Sequence, residues 1–190
     1  MNSSVVDLTF SHAWDAEILA ARPAILPARH FVYPAQVEEV ERGALEVLVR
    51  PATSSPFLAT CALGFRDPIV PTGIWSAPNP EELCAVSGGY AYVIDTNSPE
   101  RFTMIPYRPV LRVCASAEAR LLLFVGHRTI LAWGNDGAAW ESPKLSDEGV
   151  TISAIEGTIL RGLGWSMFTD KETPFSLDLN TGLAASSQDR

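Results

Sequence analysis

The residues best suited to contact chemistry fall in one stretch, Trp165-Ser-Met-Phe-Thr-Asp-Lys-Glu-Thr-Pro174. Trp165 and Phe168 offer large apolar faces next to Asp170, Lys171 and Glu172, a mixture of aromatic anchor and charge that suits recognition of a protein partner. The stretch interrupts a strand pattern, and loops on a rigid β scaffold commonly carry function. The competing reading is a structural insertion whose aromatics cover a sheet edge. His127 and Arg128 sit in a second polar turn and are taken as further candidate contacts, against the simpler reading of an exposed loop histidine.

Catalytic signatures are weak. A hydrolase needs a nucleophile beside a base and an oxyanion hole. No GxSxG string occurs, and Gly162-Leu-Gly-Trp-Ser166 has the wrong spacing. Gly162-Leu-Gly164 lacks the third glycine and the helix of a nucleotide-binding turn. His12, His30 and His127 are the only histidines; His12 and Asp15 would share a helical face, which reads most simply as a solvated one. Cys61, Cys84 and Cys114 have no CxxC spacing and lie in apolar runs, so they read as small core residues rather than metal ligands or a disulfide framework. Asp95, Asp136 and Asp178 lie in or beside turns, where a carboxylate caps backbone N–H groups. Two such acids facing across a pocket would instead suit glycoside hydrolysis. The expectation is therefore no catalytic residues, no metal and no cofactor, with an enzyme as the less favoured reading.

Charge narrows the partners. The net charge is −8, and the 14 Lys and Arg residues are scattered, so neither nucleic acid nor a membrane surface is an expected partner. An apolar content of 47% against 19% charged residues argues for a folded core. A length of 190 residues suits a single domain. No basic, apolar leader opens the chain and no apolar run reaches membrane-spanning length, which makes the cytoplasm the expected compartment.

The elements that would position the candidate residues are mostly strands. Ser11 is placed to cap a short helix over His12–Ala21, with Trp14, Ile18 and Ala21 on one face and Pro23 as the stop. Prolines 23, 27 and 34 make the following stretch irregular, and Val37–Arg42 reads as one helical turn or a solvated edge strand. Residues 1–44 thus form an N-terminal helix and extended segment, residues 45–183 β meanders, and residues 184–190 a disordered tail. From Glu82 onward, strand patterns of about five residues alternate with turns such as Gly88-Gly89, Gly126-His-Arg128 and Glu156-Gly157, the spacing of an all-β domain. Asp95, Asp136 and Asp178 recur at intervals of 41 and 42 residues, close to the length of a four-stranded blade.

Val86-Ser-Gly-Gly-Tyr-Ala-Tyr-Val-Ile-Asp95 and Gly126-His-Arg-Thr-Ile-Leu-Ala-Trp-Gly-Asn-Asp-Gly-Ala-Ala-Trp140 resemble the inner strands of a quinoprotein-type β-propeller blade. Gly137 and Trp140 resemble the glycine and tryptophan that end such a blade, and Phe175–Gly182 resembles the second half of one. The resemblance covers about residues 80–183. It implies an all-β fold of antiparallel, blade-like meanders forming a small or partial propeller. A full ring usually takes about 4–8 blades, whereas three copies and one divergent stretch between Leu45 and Ser76 are visible. No quinone-contacting residue can be matched to a position here. The favoured function is a non-catalytic binding or protein-interaction module. The alternatives are a hydrolase-like enzyme or small-ligand binder using carboxylates in a central pocket, and a structural subunit that completes a ring by self-association.

Overall fold

The computed structural model describes residues 4–35 and 37–185, without the side chains of residues 37–39. Among these residues there is no α-helix, and the architecture is all-β with predominantly antiparallel sheets. Among the described residues no helix is long and apolar enough to cross a membrane. The chain divides into two compact units, Met1–Leu111 and Arg112–Arg190.

The first unit contains β1 (Val5–Asp7), β2 (Trp14–Leu19), β3 (His30–Tyr33), a 3-10 helix (Val37–Arg42), β4 (Ala44–Pro51), β5 (Phe57–Ala62), β6 (Gly73–Ser76), β7 (Glu82–Ser87), β8 (Tyr90–Asp95) and β9 (Phe102–Met104). One sheet runs β2-β4-β5-β3 and the other β1-β6-β7-β8-β9. Trp14, Tyr33, Val47 and Phe57 of the first pack with Ile74, Leu83, Tyr92 and Ile94 of the second in one buried cluster. The 3-10 helix packs against β5.

The helix expected over His12–Ala21 is instead the strand β2. Its residues pair antiparallel with β4, from Trp14 opposite Pro51 to Leu19 opposite Glu46. Period two explains the chain better than period 3.6 here. Trp14, Ala16 and Ile18 turn to the core cluster. Asp15 and Glu17 turn outward, and both pair with Arg50 at 3.1 and 2.9 Å. The N-terminal segment is thus part of the sheets: β1 joins β6 and β3 joins β5, both in parallel. Of the two readings for Val37–Arg42, the helical turn is the one observed.

The second unit contains β10 (Arg112–Ser116), β11 (Leu121–Val125), β12 (Ile130–Gly134), β13 (Gly137–Glu141), β14 (Val150–Glu156), β15 (Ile159–Ser166), β16 (Lys171–Asp178) and β17 (Leu183–Ala184). They form two four-stranded antiparallel meanders in chain order, β10 to β13 and β14 to β17. Leu121, Leu123, Ile130 and Ala132 pack with Val150, Ile152, Leu160 and Leu177. Trp75 of the first unit and Trp133 are buried, and Trp140, partly buried, packs against the second cluster with its indole donating to the Leu179 carbonyl at 2.8 Å. The tail expected from residue 184 falls largely on residues 186–190, outside the described set.

Candidate functional site

The stretch singled out at Trp165–Pro174 is not an insertion between strands. It is the far half of a hairpin made by β15 and β16, which pair without a break from Ile159 opposite Asp178 to Ser166 opposite Lys171. Trp165 faces Glu172 across the ladder. Met167–Asp170 alone make the turn, and Asp170 takes φ of 50°, a left-handed conformation that aspartate tolerates better than most residues. The mixed charges and Pro174 gave the look of a loop. Proline is compatible with a strand at a sheet edge, and β17 pairs only with Leu177 and Asp178, which leaves β16 around Pro174 at an edge among the described residues.

The hairpin presents its tip outward. Phe168 is 99% exposed and Met167 67%. Asp170, Lys171 and Glu172 are exposed, and among the described residues none of them enters an ion pair. Trp165 is half-buried at the base of the turn.

The structure ties the two predicted regions together through a segment that sequence reading passed over, Lys144–Gly149. Leu145 N–H donates to the Arg128 carbonyl and Gly149 N–H to the His127 carbonyl, both at 2.8 Å. The Arg128 Nε donates to the Asp147 carbonyl at 3.4 Å. His127 and Arg128 therefore serve this junction mainly through their backbone, while their side chains stay exposed. On the other side, Asp147 N–H donates to the Trp165 carbonyl at 2.8 Å. The buried Ser146 hydroxyl accepts from Trp165 N–H at 3.0 Å and donates to the Trp165 carbonyl at 3.2 Å. The Asp147 carboxylate accepts from Met167 N–H at 2.7 Å and pairs with Lys144. The one sequence signal for this clamp is the polar run Ser146-Asp-Glu-Gly149, the composition of a side-chain-capped turn.

The Lys144 ammonium, and after it the Met167 N–H, hold the Asp147 carboxyl below its ordinary value of 3.8. A lowered folded pKa means that the clamp is fully formed above that ordinary value and is lost as pH falls through the lowered one. The Met167 amide resonance should therefore titrate with a midpoint below 3.8. A midpoint at or above that value would show that the carboxylate is not clamped. Asp147→Asn keeps an acceptor for Met167 but gives up the charge that holds Lys144. Its expected effect is faster hydrogen exchange at Met167 with little change in Tm.

A second polar arrangement, unforeseen in sequence, crosses the outer face of the β2-β4-β5-β3 sheet. The Arg22 Nε donates to Glu46 Oε1 at 2.8 Å, the Thr60 hydroxyl donates to Glu46 Oε2 at 2.5 Å, and His30 Nε2 lies 2.8 Å from Thr60 Oγ1. The Thr60 proton is committed to Glu46, so the His30 ring nitrogen is the donor in that contact. Glu46 and Thr60 are both buried. No sequence spacing joins these four residues; only strand pairing, with Glu46 opposite Leu19 and Thr60, brings them into a row.

The remaining candidates behave as simple structure. Asp95 Oδ1 accepts from Asn97 and Ser98 N–H, and Asp178 Oδ1 from Asn180 N–H, each at 2.9 Å. Asp136 accepts from the Asn135 side chain at 2.9 Å. Burial pushes the Cys61 and Cys84 thiols well above the ordinary range, which keeps them protonated and unreactive.

No protein-family model matches the chain, and no curated protein matches it.

Proposed function

We propose that this chain is a non-catalytic interaction module that captures a protein partner with the tip of the β15–β16 hairpin. The observation that carries the reading is a continuously paired hairpin with an almost wholly exposed aromatic in its turn: the ladder runs unbroken to Ser166 and Lys171, and Phe168 stands beyond it. A monomeric protein gains nothing in stability from an exposed phenylalanine, whereas a large aromatic side chain with few torsions to fix gains by entering a partner's pocket. The partner that fits offers an apolar pocket for Phe168 and Met167 with a basic rim for Asp170 and Glu172. Long-range attraction to a basic surface agrees with the net charge of −8.

The scaffold reading that goes with this is a partial, propeller-type arrangement. Its support is the pair of four-stranded meanders in chain order and the blade-like strings at Val86–Asp95 and Gly126–Trp140. Free cysteines at positions 61, 84 and 114 are in keeping with a reducing, cytoplasmic setting.

The test is capture of the partner from the native host, followed by titration of the purified partner against the unmodified chain and Phe168→Ala. The expected result is a loss of affinity of at least about tenfold, of the order of 1.4 kcal/mol, with Tm unchanged. Equal affinity for the two proteins, or a large fall in Tm, would overturn the reading and make the tip structural. If the captured partner is a second copy of this chain, the ring-completing subunit replaces the heterologous module.

A further inference from the structure

The chain Arg22–Glu46–Thr60–His30 ends at a cleft. An open space of about 340 Å³ is lined by Leu19, Ala20, Ala21, Val40 and Ala44, with Arg22 and Glu46 as its charged groups among the described residues. That volume lies at the lower end of small-molecule sites, roughly 300–1,000 Å³.

Two features of the charged pair suit it to a ligand. The first is its position. An ion pair that takes one charge out of water contributes little or nothing to stability compared with apolar residues of the same size, yet this sheet face keeps one. Glu46 is the buried member, with a side chain only 7% exposed, and Arg22 is the outer member at 42%. The second is which atoms are used. Glu46 takes only the Nε of Arg22, and Thr60 fixes the other carboxylate oxygen at 2.5 Å. The guanidinium is thereby held at its inner corner. Its two Nη groups, which make no hydrogen bond within the described residues, form the end-on fork that matches a carboxylate with two parallel hydrogen bonds.

We propose that this cleft binds a small aliphatic carboxylate. The Nη1 and Nη2 groups of Arg22 take the two carboxylate oxygens, Glu46 and Thr60 hold the guanidinium in place, and the wall made by Leu19, Ala21 and Val40 takes a short hydrocarbon chain. Thr60 and His30 are positioning residues that act through Glu46. This site lies in the first unit and is independent of the hairpin contact proposed above.

The experiment uses butanoate as the probe and the Arg22 Nε–Hε NMR signal as the readout. Butanoate should shift that signal saturably, and butanamide, which keeps the shape but lacks the charge, should not at the same concentrations. Chloride at matched ionic strength should leave it in place. Arg22→Lys keeps the positive charge but loses the fork, so butanoate affinity, followed through neighbouring amides, should fall by about tenfold or more. A shift that is not saturable, an equal response to butanamide, or unchanged affinity in Arg22→Lys would overturn the proposal. The butanoate–butanamide comparison is made on the unmodified chain, so it decides the matter even if the variant fails to fold.

Discussion

Replacing Gly164 with valine is expected to destabilise the second unit by about 3 kcal/mol, with loss of the clamp between Lys144–Gly149 and the hairpin. A Cβ at this position would lie 1.9 Å from the Leu145 carbonyl oxygen and 2.8 Å from its carbon. Both are backbone atoms, so no side-chain rotation can relieve the clash. One of the two segments must withdraw, and the hydrogen bonds between Ser146 and Trp165 go with it. Denaturant unfolding gives the size of the loss, and the amide shifts of Trp165 and Met167 show where it falls. Gly134→Ala is the control: there the nearest heavy atom would be 3.7 Å away, an ordinary contact, and the change should stay within about 1 kcal/mol. Equal stability in Gly164→Val and the control would mean that the linker does not lie against β15.

In the first unit the largest single loss is expected from Phe57→Ala, at about 3–5 kcal/mol. Phe57 is fully buried and stands edge-on to Phe31 with ring centroids 5.7 Å apart. The Arg29 guanidinium carbon lies 5.8 Å from the Phe57 ring centroid, adding a cation–π contact that alanine cannot make. Strand β5 is buried along its whole length, which leaves the backbone little room to close the cavity. The midpoint of denaturant unfolding should fall while the slope of the transition stays the same. A cost below about 1 kcal/mol would show that the pocket around Phe57 collapses freely or is not filled by it.

These residues also mark what could be read from the chain and what could not. The turn Gly88-Gly89 was legible because two successive glycines permit the positive φ values, 55° and 77°, that a tight hairpin between β7 and β8 requires. The same local logic gave β11, β12 and β13 with their turns. It failed over His12–Ala21, where the spacing of Trp14, Ile18 and Ala21 satisfied a helix while the alternation of Trp14, Ala16 and Ile18 with Asp15 and Glu17 satisfied a strand. The choice was made by β4, more than 25 residues further on. Distance in sequence also hid both polar arrangements. Glu46 finds Thr60 and Arg22 only through strand register, and Ser146 finds Trp165 only after β14 and β15 have folded back. At the hairpin tip, Phe168 and its charged neighbours were recognisable by type alone, because an aromatic amid charges has no place in a strand buried on both faces.

The way the first three strands are sewn into the first unit bears on how the protein is made. β1 needs β6, β2 needs β4 and β3 needs β5, so Val5–Tyr33 leaves the ribosome before any of its neighbours exist. Chains emerge at about 5–20 residues per second, which leaves these apolar segments waiting for seconds as open chain. The second unit has no such delay, since each of its strands from β11 onward pairs with the one just before it. Of the two units, synthesis thus meets the one with slow, long-range closure before the one with quick, local closure, and a chaperone that shields nascent chains would find its substrate in Val5–Tyr33.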